Sequence, residues 1–271
     1  LNVQAIFAED IQIMILEHKG TSIFYQDQGK GTAVVLLHGF LENSEMWEDV
    51  QLKLVQSHRV VSIDLLGHGQ TGCLGYVHSM ELMAEAVHAV LKSLRLRRVI
   101  LIGHSMGGYV SLAFAEQYPK MVKGLCLMDS TAQADSEERK ELRARANKMV
   151  QTNFENMVRM SVGNLFKPES LELFADEVKW VKEEALKTPI QGYIACMEGM
   201  RIRPNRVAVL HTVENVLYVI GKYDPVLEAN NIVEEAKSIN AEFVVLEGGH
   251  MSHVENKEEL VNALCVFVKS F

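Results

Sequence analysis

The feature that most limits the fold is a series of short, unbroken apolar runs separated by stretches of helical period. "AVVLLH" (33–38), "VVSID" (60–64), "VILIG" (99–103), "GLCLMD" (124–129), "VLYVIG" (216–221) and "EFVVLEG" (242–248) are rich in Val, Ile and Leu. A strand covered on one face alternates apolar and polar residues, whereas one covered on both faces does not. These runs therefore predict strands packed between two layers. Helical patterns fall between them at 44–56, 79–94, 107–117, 227–238 and 257–269. Such alternation predicts a mostly parallel sheet with helices on both faces and right-handed crossovers. Two further runs, "QIMILEH" (12–18) and "SIFYQD" (22–27), meet at Lys19-Gly20 as a hairpin and bring the expected strands to eight. Asn256 with Glu259 has the form of a capping box at the start of the last helix.

The rhythm breaks over residues 132–208, where no strand pattern occurs and three helical patterns do. Asp135 precedes the first, "SEERKELRARANKMV", with Glu138 three residues on. Pro168 opens the second, "ESLELFADEVKWVKEEALK", and Thr188-Pro189-Ile190-Gln191 opens the third, "GYIACMEGM", with Pro189 suited to a first helical position. An all-helical insertion after a strand is expected to cap the sheet's C-terminal edge, where open α/β sheets bind ligands. The expected division is a core of 1–131 and 209–271, with a cap of 132–208 inserted in it. Methionines and aromatics of the cap, among them Met157, Phe166, Met197 and Met200, are expected mostly to pack cap onto core, with several facing the pocket.

A chain of 271 residues can bury a large core without disulfides or metals. Its net charge of −8 argues against a nucleic-acid or anionic-membrane partner. Arg95, Arg97 and Arg98 fit the C-terminal end of a helix, and Arg201, Arg203 and Arg206 fit a solvated exit from the cap rather than a carboxylate receptor. The four cysteines form no C-x-x-C, and Cys126 and Cys265 lie in apolar runs. That pattern predicts core thiols and a reducing, cytoplasmic setting with no disulfide framework and no zinc. The first twenty residues carry acids where a secretory signal would be basic, and residues before Met14 have the character of a leader outside the fold. No stretch has the length and apolarity of a membrane span.

Gly103-His104-Ser105-Met106-Gly107 fits G-x-S-x-G. A serine on a sharp strand-to-helix turn needs small neighbours two residues either side, and the turn lifts its hydroxyl toward a helix N-terminus. The pattern is weak alone. Here a strand run precedes it and a helical pattern follows, which is the context the motif requires.

With "HGF" (38–40), "DLLGHGQTG" (64–72), "GHSMGG" (103–108), "GKYDPV" (221–226) and "GGHMSHVEN" (248–256), the chain resembles the α/β-hydrolase fold family, in its compact type with a helical cap. The similarity runs from about residue 20 to the end; the cap matches only in position and helical character. The resemblance implies that Ser105 attacks a carbonyl, that His250 takes its proton and returns it to the leaving group, and that Asp224 orients the histidine. It implies that the backbone N–H groups of Phe40 and Met106 hold the oxyanion. The order Ser, Asp, His is the one this fold uses.

Each role has a rival. Asp129 also ends a strand, and some family members take the acid there. His250 and His253 form H-x-x-H, but no carboxylate or cysteine stands at ligand spacing, so no metal is expected. His253 is expected to be a hydrogen-bonded residue at the start of the last helix. His38 and His104 are expected to support the oxyanion loop and the serine turn. Gly67-His68-Gly69-Gln70-Thr71-Gly72 matches G-x-G-x-x-G, yet the next helical signal waits for Ser79 and no ribose-binding acid follows, so no nucleotide is expected. The resemblance implies a cofactor-free serine hydrolase acting on a small or medium carboxylic ester. Thioester, lactone and carbon–carbon bond hydrolysis and perhydrolysis are alternatives on the same residues. A slow, ligand-sensing protein is the alternative from another class.

Overall fold

In the computed structural model, which describes residues 11–271, the apolar runs form eight strands: β1 (Gln12–His18), β2 (Thr21–Gln28), β3 (Ala33–Leu37), β4 (Arg59–Ile63), β5 (Val99–His104), β6 (Val122–Met128), β7 (Val216–Gly221) and β8 (Glu242–Leu246). They make one sheet in the order β1-β2-β4-β3-β5-β6-β7-β8. β1 and β2 run antiparallel to each other, β2 runs antiparallel to β4, and the remaining pairs are parallel. Lys19 and Gly20 both have positive φ, as a two-residue hairpin turn matched to strand twist requires. The secretory-signal reading rests on residues 1–10, outside the described residues. The leader reading fails for Gln12 and Ile13, which pair with Asp27 and Gln26 in β1.

Between and after the strands, in chain order, come α1 (Glu48–Leu54), α2 (Met80–Ser93), α3 (Met106–Gln117), α4 (Glu137–Met149), α5 (Phe154–Gly163), α6 (Ser170–Leu173), α7 (Ala175–Ala185), α8 (Ile190–Ile202), α9 (Val207–Leu210), α10 (Ala229–Ser238), α11 (Ser252–Glu255) and α12 (Lys257–Val268). Alternate residues of each central strand serve opposite layers. Val35, Leu37 and Leu101 pack with Met83, Val87, Val110 and Phe114 of α2 and α3. Val34, Leu36 and Ile102 pack with Val50, Leu54, Leu260 and Leu264 of α1 and α12. β3, β5 and β7 are buried throughout. β8 is not: it is an edge strand, and only Leu246 is buried, which corrects the expectation of cover on both faces.

Between β6 and β7 the chain is helical, as expected, but its boundaries differ. Ser136, not Asp135, caps α4, accepting the Arg139 N–H at 3.2 Å. The second pattern breaks at Phe174 into α6 and α7, and α5 is an additional helix. Its ten residues bury only Met157, Val158 and Val162, too short a stripe to stand out in the sequence. Pro189 is the cap of α8 rather than its first residue. A third apolar cluster joins Met157, Val162, Val181 and Tyr193 to Leu41, Met251 and Val254, which lie beyond the C-terminal ends of β3 and β8. That cluster holds the inserted helices over the edge of the sheet. Asn256 stands at the N-cap of α12, as expected, but its side chain makes no cap bond, so the capping box does not form.

Candidate active site

Ser105 stands between the last residue of β5 and the first of α3, at φ 48 and ψ −111. A non-glycine residue there is strained and must be held by its surroundings. The Ser105 N–H donates to the Met128 carbonyl at 2.9 Å, and Ser130 Oγ donates to the Ser105 carbonyl at 2.8 Å. The glycines are steric necessities. A β-carbon on Gly103 would overlap the backbone of Gly107 and Gly108, and one on Gly107 would overlap the Leu37 carbonyl. Backbone cannot give way as a side chain can, so Gly107→Ala is expected to lower stability by about 3 kcal/mol, read by urea denaturation.

Asp224 lies in the turn after β7 and His250 in the loop after β8. The Val226 and Leu227 N–H groups donate to Asp224 Oδ1 at 2.6 and 3.0 Å, leaving Oδ2 for His250 Nδ1 at 2.6 Å. With the proton on Nδ1, the Nε2 lone pair meets the Ser105 hydroxyl, 2.9 Å away. The His250 N–H is fixed on the Leu165 carbonyl of the inserted helices at 2.9 Å. The three residues named from the sequence are thus brought into one hydrogen-bonded line. Asp129 is not in that line: its Oδ1 accepts the Gly221 N–H at 2.8 Å, and no hydrogen bond joins it to His250. Burial pushes its carboxyl up to about 6.

Among the described residues, neither the Phe40 nor the Met106 N–H meets a protein acceptor. The loop carrying Phe40 is held by its neighbours. His38 Nε2 accepts the Leu65 N–H at 2.9 Å, with Nδ1 2.7 Å from the Gly39 carbonyl. His68 Nε2 accepts the Leu41 N–H at 3.0 Å. Burial lowers both imidazoles, His68 to about 3, so both accept as neutral rings.

A buried pair beneath His250 has no sequence signal, because no spacing rule joins Glu42 to His104. His104 Nδ1 donates to Glu42 Oε2 at 2.7 Å, and its Nε2 donates to the His250 carbonyl at 2.9 Å. Glu42 Oε2 also accepts the Gly39 N–H at 2.6 Å. One ion pair therefore ties the Phe40 loop, the serine turn and the backbone of His250. Burial alone would lower His104, but the Glu42 charge and hydrogen bond outweigh it and hold the imidazole at about 9. Burial likewise opposes ionisation of Glu42, yet the His104 charge pulls it to about 2. The His104 contribution is complete below its ordinary value near 6.5 and is lost as pH rises through about 9; that of Glu42 is complete above 4.5 and is lost as pH falls through about 2. Stabilisation is then greatest between pH 4.5 and 6.5. Glu42→Gln strands a buried imidazole and is expected to cost about 3 kcal/mol within that window. Thermal unfolding across pH should show the wild-type decline from pH 6.5 to 9 flattened in the variant.

His253 departs from expectation. It lies in α11, its Nδ1 has no hydrogen-bond partner among the described residues, and its Nε2 is 3.8 Å from Glu42 Oε1. Glu42, His104 and His253 each bring a candidate ligand atom within 4.8 Å of the others, so a carboxylate does stand near His253 in space. The donor chemistry is wrong for a metal, because both His104 nitrogens carry protons engaged in hydrogen bonds. Gly67 and Gly69 have positive φ in a loop whose N–H groups at Gly67, His68, Gln70, Thr71 and Gly72 are taken by protein acceptors, that of Gln70 by Asp64 at 2.8 Å, and no helix opens between this loop and α2. That loop offers no phosphate cradle.

Ser105 and His250 line a cavity of about 250 Å³ with Phe40, Tyr109, Met197, Met200, Arg139 and Arg143. Of the cap residues singled out from the sequence, Met197 and Met200 reach it, while Met157 and Phe166 pack in the third cluster. The arginines at 203 and 206 are not solvated. Arg203 pairs with Asp135 at 2.8 Å and stacks 3.9 Å over Tyr109, and Arg206 is buried between Glu81 and Glu116. Arg201 pairs with Glu198 at the surface of α8. Among the described residues, no helix is long and apolar enough to cross a membrane.

A sequence profile of the alpha/beta hydrolase fold matches residues 32–257. An uncharacterised protein of Mycobacterium tuberculosis is 39% identical over 102 residues, 38% of this chain and 30% of that protein. The chain thus matches under a third of the length of that relative. The dihydrolipoyllysine-residue acetyltransferase component of an acetoin cleaving system from Pseudomonas putida is 29% identical over 252 residues, 88% of this chain and 64% of that one. A thermophilic esterase from Thermogutta terrifontis, 28% identical, superposes with a TM-score of 0.88 over 97% of this chain and 99% of its own. A profile that takes in all the strands from β3 to β8, on a sheet of this order, leaves one assignment: the chain belongs to the α/β-hydrolase fold family.

Proposed function

We propose that the protein is a serine hydrolase that cleaves a small or medium carboxylic ester through an acyl-enzyme. The observation that carries this reading is the line Asp224–His250–Ser105, closed at 2.6 and 2.9 Å beside two N–H groups with no protein acceptor. Ser105 Oγ attacks the ester carbonyl as His250 Nε2 takes its proton. The tetrahedral oxyanion is held by the Phe40 and Met106 N–H groups, one such donor contributing about 3 kcal/mol in the transition state. His250 then protonates the departing alkoxide. Water, deprotonated by the same nitrogen, cleaves the acyl-enzyme and frees the acid and Ser105. Asp224 keeps the proton on Nδ1 and stabilises the imidazolium.

Residues 132–208 act in this reading as a cap, with Met197 and Met200 as an adaptable apolar wall. The likeness to an esterase that aligns over nearly its whole length supports ester chemistry. The four cysteines are free, with Cys126 and Cys196 buried, which fits a reducing, cytoplasmic setting. A p-nitrophenyl ester series from acetate to octanoate tests the reading. Repeated turnover with a preference for the shorter acyl groups is expected, because the cavity is only about 250 Å³. Release of one equivalent without turnover would instead mark a ligand sensor, and no release would refute the hydrolase.

A further inference from the structure

The cavity that holds Ser105 is walled on one side by the guanidinium groups of Arg139 and Arg143, from successive turns of α4. Apolar ester recognition needs no such wall. Arg139, Arg143 and Arg203 all direct their ion pairs at one carboxylate, Asp135, at 3.8, 2.6 and 2.8 Å. These four side chains, three positive and one negative, alone sum to +2, with Glu228, Glu234 and Glu235 standing outside them in the adjoining groove. The Asp135 side chain is fully buried and those of Arg143 and Arg203 nearly so, which shields their charge from bulk water; Arg139, 35% exposed, is the solvated member.

The hydrogen bonding points the same way. Arg143 Nε is satisfied by Asp135, but its Nη1 faces the sulfur of Met197 at 3.4 Å. A thioether is a weak acceptor for a charged donor. Met197 lines the same cavity. Arg139 Nη1 donates to the Val226 carbonyl at 2.7 Å, at the border between the cavity and an adjoining open groove of about 700 Å³ that both residues also line. Glu235 in that groove is engaged elsewhere, by Thr131, the Ala132 N–H and Tyr218.

We infer that the substrate is an ester or lactone carrying a second, ionised carboxylate, held by Arg143 and Arg139 while Ser105 attacks the ester carbonyl. The inference rests on the serine-hydrolase reading. A planar carboxylate suits the guanidinium fork and would replace the thioether with a charge-assisted pair. Among the described residues, the cavity lining itself holds Arg139 and Arg143 and no carboxylate, so an anion that passes the more acidic groove finds its counter-charge only beside Ser105. Because Ser105 and Arg143 share so small a cavity, the chain between ester and carboxylate must be short.

The test compares monomethyl glutarate with its neutral isostere, in which a methyl ketone replaces the free carboxylate. In the wild type, kcat/KM for the anionic ester should exceed that for the neutral one by at least about tenfold, the margin one charge-assisted hydrogen bond supplies. Arg143→Gln should collapse that ratio, chiefly through KM, and Arg143→Lys should restore part of it. Ser105-dependent turnover of the neutral ester, with a wild-type ratio of one or less, would overturn the inference and leave the hydrolase standing. An Arg143→Gln ratio equal to that of the wild type would overturn it as well. If neither ester is turned over and Ser105 takes no fluorophosphonate, both readings fall together.

Discussion

Ser105→Ala is expected to lower kcat for a p-nitrophenyl ester by about a million-fold, to a residue of activity supplied by binding and the oxyanion donors alone. The reason is geometric. Among the described residues, no other hydroxyl is hydrogen-bonded to His250 Nε2, and the turn that presents Ser105 is enforced by backbone contacts at Gly103 and Gly107 rather than by adaptable side chains. His250→Ala should cost about as much, and the double variant no more than either single one, since the two residues act as one unit. Steady-state rates at saturating ester, with circular dichroism to confirm folding, check all three. Costs that multiplied in the double variant would show that the two residues act independently.

The two buried aspartates separate the acid's role from mere proximity. Asp224→Asn is expected to lower kcat by about ten thousand-fold, because an amide leaves the histidine without the charge and tautomer it needs. Asp129→Asn should stay within about tenfold of the wild type, because its main bond, from the Gly221 N–H, can be accepted equally by an amide oxygen. Both carboxylates end parallel strands beside His250, and a rule based on strand ends alone does not separate them. What does is the pair of N–H groups at Val226 and Leu227, which turn Asp224 so that its second oxygen meets Nδ1. A larger loss for Asp129→Asn than for Asp224→Asn would reverse the assignment.

The fold was legible because buried parallel strands write themselves as unbroken apolar runs, and because Ser79 and Ser105 sit at real element boundaries. The line from Ser105 to Asp224 was legible because each residue lies at a strand end in a motif of its own. What sequence reasoning missed depends on contacts distant in the chain. Glu42 and His104 meet across 62 positions, and Arg143 stands in a helix dense with charges where nothing local marks it out. Arg203 and Arg206 looked solvated because nothing in the local sequence shows that Asp135, Glu81 and Glu116 come to meet them. The edge position of β8 follows from strand order, which an apolar run does not encode.

The central claim is that Ser105 is a nucleophile activated by His250. Intact-mass spectrometry after treatment with a fluorophosphonate tests it most directly. One adduct per chain is predicted, mapped to the peptide containing Ser105, absent from Ser105→Ala and strongly slowed in His250→Ala. A stoichiometric adduct on another residue, or undiminished labelling of Ser105→Ala, would contradict it.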